Sequence, residues 1–184
     1  IIRIENDFID AHVRKRTSPN EGWGDPYYSD LLGHAFSCFK VVPRPDWFRL
    51  LAQGSYNGDS PFARELAHYT GENLAWLVKS ARTAESRYTR ANLNVLLVWT
   101  LTYNPAWPAR RRSEVLAAVE HGLTDSESEA LSAAAFFVAI SGLPESREML
   151  TKARERLLRG PKPRKREAAY IDRIMSWIER SRPK

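Results

Sequence analysis

The sequence is poor in cysteine, methionine and glycine, and it has no long apolar run. Its 184 residues include one cysteine, Cys38, so no disulfide can form within the chain and stability has to come from a packed core. A single thiol fits a reducing, cytoplasmic setting. The longest largely apolar stretches, 95–101 and 133–140, are far shorter than the ~18 residues a membrane-spanning helix needs, so no membrane partner is expected. Residues 1–7 are too charged for a secretory signal. The chain begins without Met, which fits a processed protein or a piece of a longer one. Neither Gly-x-x-x-x-Gly-Lys-Ser/Thr nor Gly-x-Gly-x-x-Gly occurs, and no serine stands in Gly-x-Ser-x-Gly. No phosphate-cradling loop, no cofactor and no serine-hydrolase elbow is therefore expected.

What is present is a globular composition: 43% apolar residues, 27% charged, and 6 Trp, 7 Tyr and 7 Phe. The net charge is +6, and it is concentrated at one end. Residues 145–184 hold 13 Lys/Arg against 6 Asp/Glu, whereas 1–144 hold 15 against 16. Arg outnumbers Lys by 21 to 7, and guanidinium groups grip phosphate or carboxylate with two hydrogen bonds where ammonium groups act as point charges. A GC-rich coding sequence also produces such a bias. A basic end calls for an acidic counterpart more often than a balanced one does.

Punctuation along the chain predicts helices throughout. Residues 17–26, with two Pro and two Gly, read as a loop, 27–40 as a helix stopped by 41–45, and 46–53 as a short helix ended by Gly54. Ser60 followed by Pro61 signals a helix start. Helical spacing runs from Phe62 to Gly71 and resumes through Leu74, Leu77 and Val78. Further helices are expected over 84–103, ended by Asn104-Pro105, and over 108–121, closed by Gly122 as a left-handed residue. Then come 126–141, capped by Thr124 or Asp125 and ended by Gly142, and 144–159, ended by Gly160-Pro161. The last, 164–181, has Tyr170, Ile171, Ile174, Trp177 and Ile178 on one face. Links of two to five residues make successive helices antiparallel neighbours. The expected fold is all-α, an antiparallel bundle or short solenoid of about seven to nine helices. Residues 1–45 form an extension packed on a main domain, 46–184, whose basic region is 145–184.

Two blocks resemble each other. Leu93, Trp99 and Thr100 fall over Leu131, Phe137 and Val138, and Val115, Leu116 and Leu123 over Met149, Leu150 and Leu157. Each block is a long apolar helix, a turn with Pro, and a helix with Arg near its start. This resembles HEAT or armadillo repeats over roughly 84–159, which implies stacked helix pairs presenting a binding surface. Any antiparallel bundle yields some such matches.

Few residues suggest chemistry. Glu65, His68 and Glu72 share a face on a continuous helix, and Glu-x-x-His is half of a di-metal site in bundles. The second such motif is missing, with Asp30 and His34 the sole partner pair, so no metal is expected. Cys38, one turn after His34, reads as core rather than nucleophile. Asp172 near Tyr170 and Trp177 is the only grouping to offer an enzyme, and it falls on an amphipathic face. Trp23, Tyr27 and Tyr28 mark an aromatic loop able to fill a partner's pocket, or to cover the end of a helical core.

The basic residues lead. Arg110, Arg111 and Arg112, like Lys165 and Arg166, fall in first helical turns, where cations oppose the helix dipole at a cost of up to ~1 kcal/mol each. Together with free backbone N–H groups they make a place for an anion. Alternating helix direction sends Arg110, Arg111, Arg112, Arg147, Arg180 and Arg182 to one edge. Arg154, Arg156, Arg159, Lys162, Arg164, Lys165 and Arg166 go to the other. The favoured function is a non-catalytic binding module (adaptor, scaffold or inhibitor/immunity-type partner) for an acidic protein, using the Arg-rich edges and the aromatic loop. The alternative is a nucleic-acid-binding module contacting phosphates through the basic C-terminal helices.

Overall fold

Residues 93–101 leave no polar face, so a helix here has to be enclosed on every side. The computed structural model describes residues 48, 49, 52, 61–159 and 161–181. Its elements are α1 (Pro61–His68), a 3-10 turn (Gly71–Asn73), α2 (Leu74–Thr83), α3 (Arg87–Tyr103), α4 (Ala109–Gly122), α5 (Ser128–Ile140), α6 (Ser146–Arg159) and α7 (Lys165–Ser181). Every regular element among the described residues is helical, as the sequence predicts. The extension 1–45, with its loop 17–26 and helix 27–40, lies outside them. Of the expected helix 46–53, Phe48, Arg49 and Ala52 are described, and all three are helical.

The apolar segment is in the middle. α3 packs on α1, α2 and α4 and most extensively on α5, and residues 93–101 are all buried. α5 packs in turn on α7, with lesser contacts to α6 and α4. The odd-numbered helices therefore form a row, α1–α3–α5–α7. α2 and α4 lie against α3, and α6 lies against α5 and α7. On α5 the buried set is Ala130, Leu131, Ala134, Ala135, Phe137, Val138 and Ala139. The four alanines let neighbouring backbones approach while the larger side chains fill the space between rows. Corresponding positions of the two similar blocks are buried in both: Leu93 and Leu131, Trp99 and Phe137, Thr100 and Val138. Trp99 and Phe137 also meet edge to face, 5.9 Å between centroids.

Local signals explain most boundaries. Pro61 opens α1, and Ser86 caps α3 by accepting from the Thr89 N–H at 3.4 Å. Asn104 ends α3, its side-chain amide donating to the carbonyls of Thr100 and Ala67. Gly142 follows α5 with φ +71°, a conformation that suits a residue without Cβ. α1 ends at His68, so Glu72 belongs to the 3-10 turn rather than to a continuous helix with Glu65 and His68. The expected cap at the start of α5 takes another form: Glu127 occupies the cap position, and its N–H donates to Asp125 Oδ1 at 2.9 Å.

Gly122 has a different role from the expected left-handed stop. It is the last helical residue of α4, and Leu123 beyond it is also right-handed. A Cβ placed on Gly122 would lie 2.4 Å from Asn94 Oδ1 and 2.7 Å from Nδ2. Asn94 is fully buried, and neither its Oδ1 nor its Nδ2 has a hydrogen-bond partner. The glycine is there because α4 crosses the Asn94 amide at contact distance. In an open helix, Gly→Ala stabilises by about 1 kcal/mol. Here Gly122→Ala is expected to destabilise by about 1–3 kcal/mol, because the added Cβ overlaps the amide of a fully buried side chain, which has to shift within a packed core. In an Asn94→Ala background the same change becomes neutral or stabilising. Urea unfolding of the four-member cycle measures this, and an unchanged Gly122→Ala effect in both backgrounds would show that the contact does not require the glycine.

Candidate interaction surface

The first-turn arginines are spaced so that most find acids across the helix ends. From α4, Arg112 grips both carboxylate oxygens of Glu145, in the turn before α6, at 2.9 Å through Nη2, and its Nη1 donates to the Leu101 carbonyl at 3.4 Å. Arg147, in the first turn of α6, pairs with Glu179 near the end of α7 at 2.7 Å. Arg154 donates to Asp172 at 2.6 Å, Arg156 faces Glu120 at 3.7 Å, and Arg159 bonds Glu155 on its own helix at 3.0 Å. Asp172, the acid singled out beside Tyr170 and Trp177, is thus an ion-pair partner of α6. These pairs fit alternating helix direction: starts of even helices share one end, starts of odd helices the other.

The densest network is at the odd-helix end. Arg90 of α3 donates to both oxygens of Asp125, at 2.7 and 3.1 Å, and to the carbonyls of Ala84 and Glu85. Asp125 is buried, and its backbone carbonyl accepts from Arg164. Arg164 also reaches Glu167 at 3.0 Å, and Glu167 accepts from the Ser128 hydroxyl at 2.7 Å. Burial would raise the Asp125 carboxyl, but the hydrogen bonds from Arg90 and from the Glu127 N–H, with the Arg90 charge, outweigh it and hold it below the usual range. The Ser128 hydrogen bond does the most to lower Glu167, against the opposing effect of burial. One cluster ties the α2–α3 turn, the α4–α5 link and the start of α7 together.

Of the basic residues singled out from sequence, Arg112, Arg147, Arg154, Arg156, Arg159 and Arg164 therefore hold intramolecular partners. Arg110, Lys162, Lys165 and Arg166 are exposed and take part in no ion pair among the described residues. Arg111 is exposed and lies over the Trp107 ring at 5.1 Å. The aromatic loop residues Trp23, Tyr27 and Tyr28 lie outside the described residues, as do Asp30, His34, Cys38 and Arg182. His68 is exposed, and its ring lies 5.1 Å from that of Tyr103 at a tilt of 46°. Among the described residues, no group of three His, Cys, Asp or Glu side chains gathers where it could hold a metal.

Residues that the sequence reading misplaced complete a surface. Ile171 and Ile174 of α7 are buried as expected, but Trp177 is 48% exposed and Tyr170 only partly buried. At about 100° per residue, Arg166, Tyr170, Arg173, Trp177 and Arg180 fall within an arc of roughly 80° and run roughly 21 Å along the helix. Cations and aromatics alternate along that arc. Arg173 lies over the Tyr170 ring at 5.8 Å, and burial pushes the Tyr170 hydroxyl up while Arg173 opposes the shift. Ala169, Ser176 and Lys165 border the stripe, and all three are exposed. The acids of α7 lie elsewhere, Glu167 and Asp172 turned to α5 and α6 and Glu179 to Arg147. A helical wheel separates Trp177 from Ile171 and Ile178 by about 100–120°, which is the signal a single-face reading overlooks.

No protein-family model matches the chain, and no curated protein or solved structure shows significant similarity to it.

The Asp125 cluster has a calculable pH signature. Asp125 and Glu167 are both depressed, so their stabilisation is complete above the unfolded values near pH 4 and is lost as pH falls through the lower folded values. Asp125→Asn is expected to cost roughly 1.5–3 kcal/mol at pH 7, the range for hydrogen bonds to a charged group. Thermal melts of both proteins between pH 7 and pH 2.5 check this. The gap should close below about pH 4, and a constant gap would show that the Asp125 charge does not stabilise the fold.

Proposed function

We propose that the chain is a non-catalytic helical binding module, an adaptor, scaffold or inhibitor-type protein, that takes an acidic protein partner on the outer face of α7. The observation that carries this reading is the Arg166–Tyr170–Arg173–Trp177–Arg180 stripe, exposed except at the half-buried Tyr170, on a helix whose major contacts among the described elements are with α5 and α6. Arginine, tyrosine and tryptophan supply most of the energy at protein interfaces, the aromatic rings through buried area and the guanidinium through planar hydrogen bonding. The paired edges are a weaker candidate, because a partner would first have to break pairs such as Arg112–Glu145 and Arg147–Glu179. A HEAT-like stack of helix pairs is part of the same proposal, supported by the α1–α3–α5–α7 row and the Trp99–Phe137 contact at matched positions.

The test is fluorescence anisotropy with a labelled 20-residue polyglutamate and labelled 20-nucleotide single- and double-stranded DNA, at 50 and 150 mM salt. Polyglutamate is expected to bind, and Arg166→Ser/Arg173→Ser/Arg180→Ser to weaken it by about tenfold or more. Arg147→Ser/Arg154→Ser, which removes cations already paired, should leave it within about twofold. Absence of polyglutamate binding at 50 mM salt, or equal loss in the two variants, would overturn the assignment to α7. Tighter binding of DNA with the same arginine dependence would favour phosphate recognition instead.

A further inference from the structure

Resting on that assignment of the α7 face, the spacing of its residues narrows the partner, and we infer that the stripe docks a single acidic amphipathic helix lying alongside α7. Arg166, Arg173 and Arg180 recur every seven residues, and so do Tyr170 and Trp177, with steps of four and three between the two sets. Seven residues advance a helix by about 10.5 Å, so the two sets form two interleaved rows with the period of a helix–helix seam. A helical partner has the same period. With acids every seventh residue and apolar residues between, it meets each arginine with a carboxylate and each ring with a side chain over the whole length. The drift of about 20° per heptad is small over two heptads.

Other occupants fit the stripe less well. A B-form strand completes a turn in about 34–36 Å, so over this length it winds more than halfway round its axis. A straight row of cations meets such a strand at one or two points and leaves the rings uncovered. Stacking of bases is limited because the Tyr170 ring already faces Arg173. A second copy of this chain on the same face would bring Arg173 toward Arg173 with no acid on the stripe to offset it. Insertion into a lipid surface needs an apolar face, and that of α7 is already spent on α5 and α6, with Ala168, Ile171 and Ile174 buried.

The distinguishing experiment uses a designed 21-residue helical peptide with Glu every seventh position and Leu at the interleaved positions. Its control has the same composition with the seven-residue period broken. Anisotropy against the full chain at 150 mM salt is expected to show at least about tenfold tighter binding of the periodic peptide. Trp177→Ala and Arg173→Ser should each remove most of that preference, with far-UV circular dichroism confirming that both variants stay folded. Equal affinity for the two peptides would overturn the helix-docking inference while leaving an acidic-partner module intact. Tighter binding of duplex or single-stranded DNA than of the periodic peptide would overturn it in favour of nucleic acid. If neither peptide nor the polyglutamate binds, the α7 assignment falls as well.

Discussion

Between Leu93 and Leu101, α3 offers no side to water, and α5 is nearly as apolar from Ala130 to Ala139. Helices of this kind cannot end a stack, because each needs neighbours around its whole circumference. That requirement orders the remaining elements. α1, α2, α4 and α5 enclose α3, and α6 and α7 cover most of the rest of α5, leaving Phe136 exposed. Thr70 and Thr100, buried at the α1–α3 side, can be accommodated because their hydroxyls lie 2.9 Å apart, so that one donates to the other and the acceptor gives its own proton to a carbonyl of its own segment. α7 is different. It buries Ala168, Ile171 and Ile174 on one side and carries arginines on the other, so it is suited to a terminal position.

Hydrophobic enclosure fixes which helices touch, but it says little about how their ends are held. Ion pairs between distant segments do that. Arg90 with Asp125 joins the start of α3 to the link before α5, and Arg112 with Glu145 joins the start of α4 to the turn before α6. The two clamps sit at opposite ends and share a design, an arginine near a helix start that accepts the unfavourable dipole position, reaches a carboxylate on a distant segment and also donates to a backbone carbonyl. The exposed pairs, such as Arg147–Glu179, add little to stability, yet they neutralise the surface around them.

The helical punctuation was legible because its causes are local: Pro61 and Ser86 at helix starts, Asn104 and Gly142 at helix ends, and the apolar run at 93–101 each act within a few residues. The ion pairs were not legible, because Arg90 and Asp125 are 35 residues apart, Arg112 and Glu145 are 33 apart, and nothing in the local sequence marks either as a couple. Gly122 looked like a helix stop for the same reason. The Asn94 amide that demands a glycine belongs to another helix. The α7 surface was half visible. Its arginines stand out in the charge count, but the helical spacing that groups Tyr170 and Trp177 with the isoleucines spans more of the circumference than α7 buries.

Among the described residues, the charges left without acids follow from geometry. Arg166, Arg173 and Arg180 lie on the side of α7 turned from α5 and α6, where no described segment brings up a carboxylate, whereas Arg112 and Arg147 face neighbouring helix ends that carry one. Arg166, Arg173 and Arg180 are about 10.5 Å apart along α7, close to the Debye length of about 8–10 Å at physiological salt. Their mutual repulsion in the free protein is therefore largely screened, so the stripe costs the fold little. A carboxylate brought to hydrogen-bonding distance of one of these guanidinium groups, beside the Tyr170 or Trp177 ring and away from water, is screened far less. A seven-residue spacing thus keeps the cations tolerable in the unbound chain and effective toward a partner that presents acids with the same period. Closer spacing would raise the first cost, and wider spacing would leave too few contacts on a helix of 17 residues.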